Sequence, residues 1–210
     1  MLDAIFTAGK NIAAAAGSIL GIRSGTEEPR FTVEQVLDGV EIRRYGRRIA
    51  AETTVAGEEE SARREGFRRL AGYIFGANST TNTIAMTAPV AQQSQKIAMT
   101  APVSAQRAST GDWIIRFFMP AAYTLDTLPL PDDDRVRLVE VPGESVAALR
   151  FTGTCQPADI AQRSAELRSI LDRHGLVCLG DPMAWFYDPP WTVPARRRNE
   201  VVVHVADTPS

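Results

Sequence analysis

Ile84-Ala85-Met86-Thr87-Ala88-Pro89-Val90 recurs unchanged as Ile97-Ala98-Met99-Thr100-Ala101-Pro102-Val103, after the short polar segment Ala91–Lys96. Apolar residues alternate within each copy, which is the period of a strand. The segment between them is short enough for a hairpin loop. The register predicts Ile84, Met86, Ala88 and Val90 on one face with Ile97, Met99, Ala101 and Val103. Thr87, Pro89, Thr100 and Pro102 then take the other face. Because proline has no N–H to donate, the pair is expected at a sheet edge or barrel rim.

Two similar stretches flank this repeat. The first comprises Phe31–Val36, a turn at Asp38-Gly39, Val40–Tyr45, Ile49–Val55 and a helix from about Glu58 to Phe75 closed by Gly76. The second comprises Val136–Val141, a turn at Pro142-Gly143, Ser145–Thr152 and a helix from Pro157 to His174 closed by Gly175. Proline opening a helix and glycine closing one follow the usual asymmetry of helix ends. Trp113–Met119 continues the first unit; Met183–Tyr187 and Glu200–Val205 continue the second. The pattern predicts an α+β fold built from duplicated strand–helix–strand units. A distorted antiparallel β-barrel of about eight strands, flanked by two helices, accommodates them. Asp132-Asp133-Asp134 reads as a solvated linker between the halves.

The expected organisation is an N-terminal amphipathic helix and linker over residues 1–25, one domain over 26–206 and a tail over 207–210. Leu2, Ile5, Phe6, Gly9, Ile12, Ala13, Ala16, Ile19 and Leu20 recur at helical spacing. Lys10 and Asn11 interrupt the run, which falls short of the about 20 apolar residues a spanning helix needs. Asp3 stands where an export signal carries basic charge. Docking on its own domain or on a protein partner is the first reading of this helix, peripheral contact of residues 2–20 with a membrane surface is the second, and cleavage as an atypical export signal is the third.

The net charge of −2 gives no footprint for nucleic acid. Two cysteines, Cys155 and Cys178, make no disulfide framework and no metal-type pair, so a reducing, cytoplasmic location is expected. No H-E-x-x-H, P-loop or dinucleotide fingerprint is present. With only His174 and His204 available, no nucleophilic triad can be assembled from an obvious set. His174 fits a helix end, where a cation complements the dipole, and His204 sits in a valine-rich strand. Methionine mostly fills cores. Met86, Met99 and His174 are nonetheless the candidate metal ligands, with no one of them singled out.

Glu41-Ile42-Arg43-Arg44-Tyr45, the run from Gly66-Phe67-Arg68-Arg69-Leu70 to Gly76-Ala77-Asn78, and Met-Thr-Ala-Pro-Val resemble the SOUL haem-binding protein family. So do Phe118-Met119-Pro120, Tyr187-Asp188-Pro189-Pro190 and Arg197-Arg198-Asn199-Glu200-Val201. The resemblance runs from roughly Glu28 to Val205, and the doubled heptapeptide looks like the bacterial branch. It implies non-covalent binding of haem or another tetrapyrrole in an exposed apolar cleft, as carrier, buffer or sensor rather than enzyme. It places Arg63, Arg64, Phe67, Leu70, Ala71 and Ile74 on one side of that cleft. Tyr187, Pro189, Pro190, Trp191 and Arg198 lie across from them. Aromatic walls suit a flat macrocycle, and guanidinium forks suit its propionates. Some members carry a histidine ligand just before the Tyr of Glu-Ile-Arg-x-Tyr; here Arg44 occupies that position and cannot ligate. Two alternatives compete. One is a small-molecule hydrolase or multidrug-type sensor on the same barrel, of which the hydrolase would need a buried carboxylate or Tyr at the cleft floor. The other is an interaction module recruited through the N-terminal helix.

Overall fold

The computed structural model describes residues 27–79, 95–188 and 192–206. The N-terminal helix, the first copy of the heptapeptide with Met86, and Pro189, Pro190 and Trp191 lie outside the described residues.

The strands are β1 (Phe31–Leu37), β2 (Val40–Tyr45), β3 (Arg48–Val55), β4 (Asn78–Ser79), β5 (Val103–Arg107), β6 (Trp113–Phe118), β7 (Leu130–Pro131), β8 (Val136–Val141), β9 (Glu144–Phe151), β10 (Met183–Phe186) and β11 (Asn199–His204). The helices are α1 (Glu59–Ile74) and α2 (Pro157–Arg173). The nine-stranded sheet has the order β1-β2-β9-β11-β10-β5-β6-β3-β8, while β4 and β7 form a separate small pair. Every pairing in the main sheet is antiparallel.

The expected closed barrel is a curled half-barrel instead. Among the described residues β1 and β8 are its two edges. Its inner face is filled by its own large side chains, Tyr45, Trp185 and Tyr187 among them, so closure is not needed to bury it.

The duplication is plain in the strand order. β8-β3-β6-β5 and β2-β9-β11-β10 are equivalent half-sheets joined by the β5–β10 pairing. Short connections predict hairpins, but the linkers Gly46-Arg47 and Pro142-Gly143 make none. β2 pairs with β9 and β3 with β8, so each unit lends the strand before its linker to the other. The two linkers touch where this exchange occurs. A Cβ on Gly143 would stand 3.2 Å from the carbonyl oxygen of Tyr45, which leaves glycine the easiest fit.

The second heptapeptide is a strand only at its last residue, Val103. Ile97 N–H donates to the Ile74 carbonyl at the end of α1, and Thr100 donates its hydroxyl to the Phe118 carbonyl. Pro102 has no N–H with which to extend a ladder. The expected single face is therefore broken. Ile97, Met99 and Val103 join the core beneath α1, whereas Ala101 joins the opposite cluster.

Both helices cover one face of the sheet. Leu70, Tyr73 and Ile74 of α1 pack with Ala51, Ile115 and Phe117. Leu167, Ile170 and Leu171 of α2 pack with Val40, Leu149 and Val201. Helix α1 lies unusually close to the sheet, because a Cβ on Gly66 would fall 2.5 Å from Ile115 Cγ1. Helix α2 opens on Pro157 with a Gln156/Asp159 capping box, and Gly175 follows it at φ 70°. No described helix is long and apolar enough to cross a membrane.

Candidate functional site

The residues expected to line a cleft divide between the two faces of the sheet. On the helix side, Phe67 and Ala71 of α1 are half-buried, and so are Met99, Val103 and Phe186. All five pack on the core cluster beneath α1. Phe67 meets Phe117 edge-to-face, with ring centroids 5.2 Å apart. Phe186 lies opposite Val103 in the β10–β5 ladder. Helical spacing brings Arg63, Phe67 and Ala71 onto one flank of α1. The result is a strip of apolar side chains with partial exposure at the middle of the sheet.

Arg63 ends this strip. Its guanidinium carbon stands 4.6 Å from the Phe186 ring centroid, and Nη1 donates to the Cys155 carbonyl at 3.2 Å. Cys155 Sγ in turn donates to Asn199 Oδ1 at 3.0 Å. This chain of contacts ties α1 to the far end of the loop that contains residues 189–191. Burial pushes the Cys155 thiol pKa up, so it stays protonated. Arg64 points away from the strip. It is exposed and pairs with Glu60 at 2.8 Å, one turn back on the helix.

Leu70 and Ile74 do not reach the strip's surface. They are 0% and 1% exposed and support it from within the core. The stripe that named them is the stripe any helix turns toward its sheet.

Tyr187 and Arg198 belong to the other face. Arg198 lies 3.8 Å above the Tyr187 ring, and both groups bond to Glu200. Glu200 is fully buried and accepts two bonds from Arg43, at 2.7 and 3.0 Å. It accepts a third from the Tyr187 hydroxyl at 2.6 Å and more from Arg198. Arg198 also pairs with Glu28 at 3.0 Å. Burial alone would raise the Glu200 pKa, but the bonds and charges of Arg43, Tyr187 and Arg198 hold it below the ordinary value. Burial, with the Glu200 charge beside it, drives the Tyr187 phenol well above its ordinary value. A general acid needs a carboxyl pushed upward toward neutrality. Glu200 is pushed the other way and has its oxygens occupied, so it serves as an ion-pair anchor. Residue type alone could not find this cluster, since Arg43 stands 157 positions from Glu200 in the chain.

For iron, the described residues offer little. None of them form a group of three His, Cys, Asp or Glu side chains suited to a metal. His174 is engaged by Asp38 at 3.1 Å, together with Arg173 at 3.0 Å, in the β1–β2 turn. Met99, on the strip, is the described candidate that faces partly exposed apolar surface. The strip itself fits a tetrapyrrole in kind, being apolar and aromatic with a guanidinium at one end.

Sequence and structure comparisons place the chain. Heme-binding protein 1 of Sus scrofa is 30% identical over 146 residues, covering 68% of this chain and 70% of the relative. Heme-binding protein 1 of Bos taurus is 28% identical over 142 residues with the same coverage. Among solved structures, the C-terminal domain of EcmrR superposes with a TM-score of 0.57 at 10% identity, over 80% of this chain and 98% of that domain. A likeness at that identity concerns the fold alone. The sequence profile described as SOUL heme-binding protein matches residues 26–204, and the chain belongs to that family.

Proposed function

We propose that the protein binds haem or a related tetrapyrrole non-covalently, as a carrier, buffer or sensor, on the apolar strip between α1 and the β5–β10 pair. The observation that carries this reading is the strip itself. Phe67, Ala71, Met99, Val103 and Phe186 stay half-buried on a chain whose family is named for haem binding. The macrocycle lies against these side chains and buries the apolar surface they leave in water. Arg63, and Arg64 after release from Glu60, meet the propionates. Pro189, Pro190 and Trp191 supply the facing wall. Leu70 and Ile74 hold the strip from behind, and Tyr187 and Arg198 fix the root of the loop through Glu200. The iron is held weakly or not at all by a protein ligand, with Met99 as the position to test. The doubled heptapeptide is the ground for placing the chain on the family's bacterial branch. Residues 2–20 make peripheral contact with a membrane or a protein partner.

Titration of the full chain with haemin, followed at the Soret band, tests the site. Phe67→Ser is expected to lower affinity about tenfold, the equivalent of about 1.4 kcal/mol. Equal affinity of the variant and the unaltered protein would remove the strip as the binding surface.

A further inference from the structure

The inner face of the sheet holds a second unusual cluster, on the side away from Phe67. Arg48 on β3 has a side chain only 9% exposed. Its guanidinium carbon lies 4.3 Å from the Tyr45 ring centroid and 4.5 Å from that of Phe118. Nη2 donates to Glu144, but Nε and Nη1 have no partner. Trp185, 1% exposed, meets the same two rings edge-on, at 5.6 Å from Tyr45 and 6.1 Å from Phe118. Its Nε1 also has no partner. Among the described residues these three nitrogens are the only buried side-chain polar atoms left unpaired, and all three border one pair of aromatic rings.

Ring faces can answer the charge of a guanidinium from above and below. They cannot answer its N–H bonds, which lie in the guanidinium plane and require an acceptor within it. The indole N–H is likewise a donor only. The cluster thus offers three donors left without a partner. A water would bring two hydrogens of its own into this setting. The nearest carboxylate, Glu144, already serves Arg48 and stands 3.2 Å from His204 Nδ1. A group that only accepts fits better. Burial also lowers the Arg48 pKa in spite of Glu144, which marks a cation short of compensation.

We propose that the box bounded by Arg48, Tyr45, Phe118 and Trp185 is a binding site for a small monovalent anion, either a halide or the carboxylate of a short organic acid. The site is independent of the tetrapyrrole reading, because it lies on the opposite face of the sheet.

Crystals of the full chain grown in sodium bromide provide the direct test. An anomalous bromide peak within hydrogen-bonding reach of both Arg48 and Trp185 Nε1 is the expected result. A water or empty density between them overturns the proposal. Thermal melts in sodium bromide, sodium formate and sodium gluconate at equal ionic strength identify the occupant. A rise of about 3 °C over gluconate is expected once the anion exceeds its Kd about fivefold. A rise in bromide alone assigns a halide, and a rise in formate assigns a carboxylate. Equal melting temperatures in all three salts overturn the proposal. Arg48→Met and Trp185→Phe each abolish the salt difference. The bromide map on the unaltered protein stands whether or not those variants fold.

Discussion

Helices α1 and α2 are equivalent parts of a duplicated fold, yet their flanks are chemically different. Each buries an apolar stripe of the same kind, Leu70, Tyr73 and Ile74 on one and Leu167, Ile170 and Leu171 on the other. Beside its stripe α2 has half-buried Ile160, Ser164 and Arg168, whereas α1 has Arg63, Phe67 and Ala71 at the equivalent places. The stripes are what the scaffold requires of any helix laid on a sheet. The flanks are free of that requirement and have diverged, with Ser164 and Arg168 standing where α1 has Phe67 and Ala71. Duplication supplied the frame, and divergence at a few half-buried positions gave one half a candidate surface.

The largest expected effect comes from the joint between the halves. Glu200 on β11 takes bonds from Arg43 on β2, so the pair links strands of different units. Glu200→Gln leaves a buried Arg43 short of its countercharge and should cost about 3–5 kcal/mol in urea unfolding at neutral pH. The unaltered protein carries a matching acid lability. Glu200 has a lowered folded pKa, so its contribution is complete above the ordinary glutamate value of 4.5 and is lost as pH falls below it. The variant should lose that part of the acid sensitivity. Both helices should respond together; melting of one alone would break the picture of a stapled pair.

A smaller effect, confined to α1, is expected from Gly66→Ala. The added methyl meets Ile115 and forces α1 off the sheet, at about 1–3 kcal/mol by thermal or urea unfolding. A neutral result would mean that the close helix–sheet approach is not a constraint of this half.

The asymmetry itself is tested by ligand titration. If Phe67→Ser weakens haemin about tenfold, Arg168→Ala on the equivalent flank should leave affinity unchanged. Equal losses in the two variants would place binding elsewhere. The smallest effect belongs to Arg64→Ala. Its pair with Glu60 is solvent-exposed, so unfolding should change by less than about 0.5 kcal/mol. A large stability loss there would show that the flank of α1 is structural after all.

Much of this fold was legible in the chain. Asp38-Gly39 turns as expected, with φ of 47° and 84° at the two residues, and Gly175 closes α2. The helix and strand bounds fall within a residue or two of the periodic runs, because periods of 2 and 3.6 are local properties. The second heptapeptide misled for a physical reason. Its alternation is real, but proline and the side-chain bond of Thr100 hold it outside the ladder. For the candidate site, the sequence named Phe67, Ala71 and Arg63, which the structure brings beside Phe186. It also named Leu70, Ile74, Tyr187 and Arg198, which the structure uses for the core and for the Glu200 cluster.

Sequence alone determined the elements, their duplication and the family, since these follow from local spacing and from short runs kept in order. Only the tertiary structure decided that the strand before each linker pairs with the other unit, that the barrel stays open, and which polar groups are buried together. Those outcomes depend on contacts between residues distant in the chain, such as Arg43 with Glu200, 157 positions apart, and Arg48 with Glu144, 96 apart. Local pattern carries no information about such distant partners.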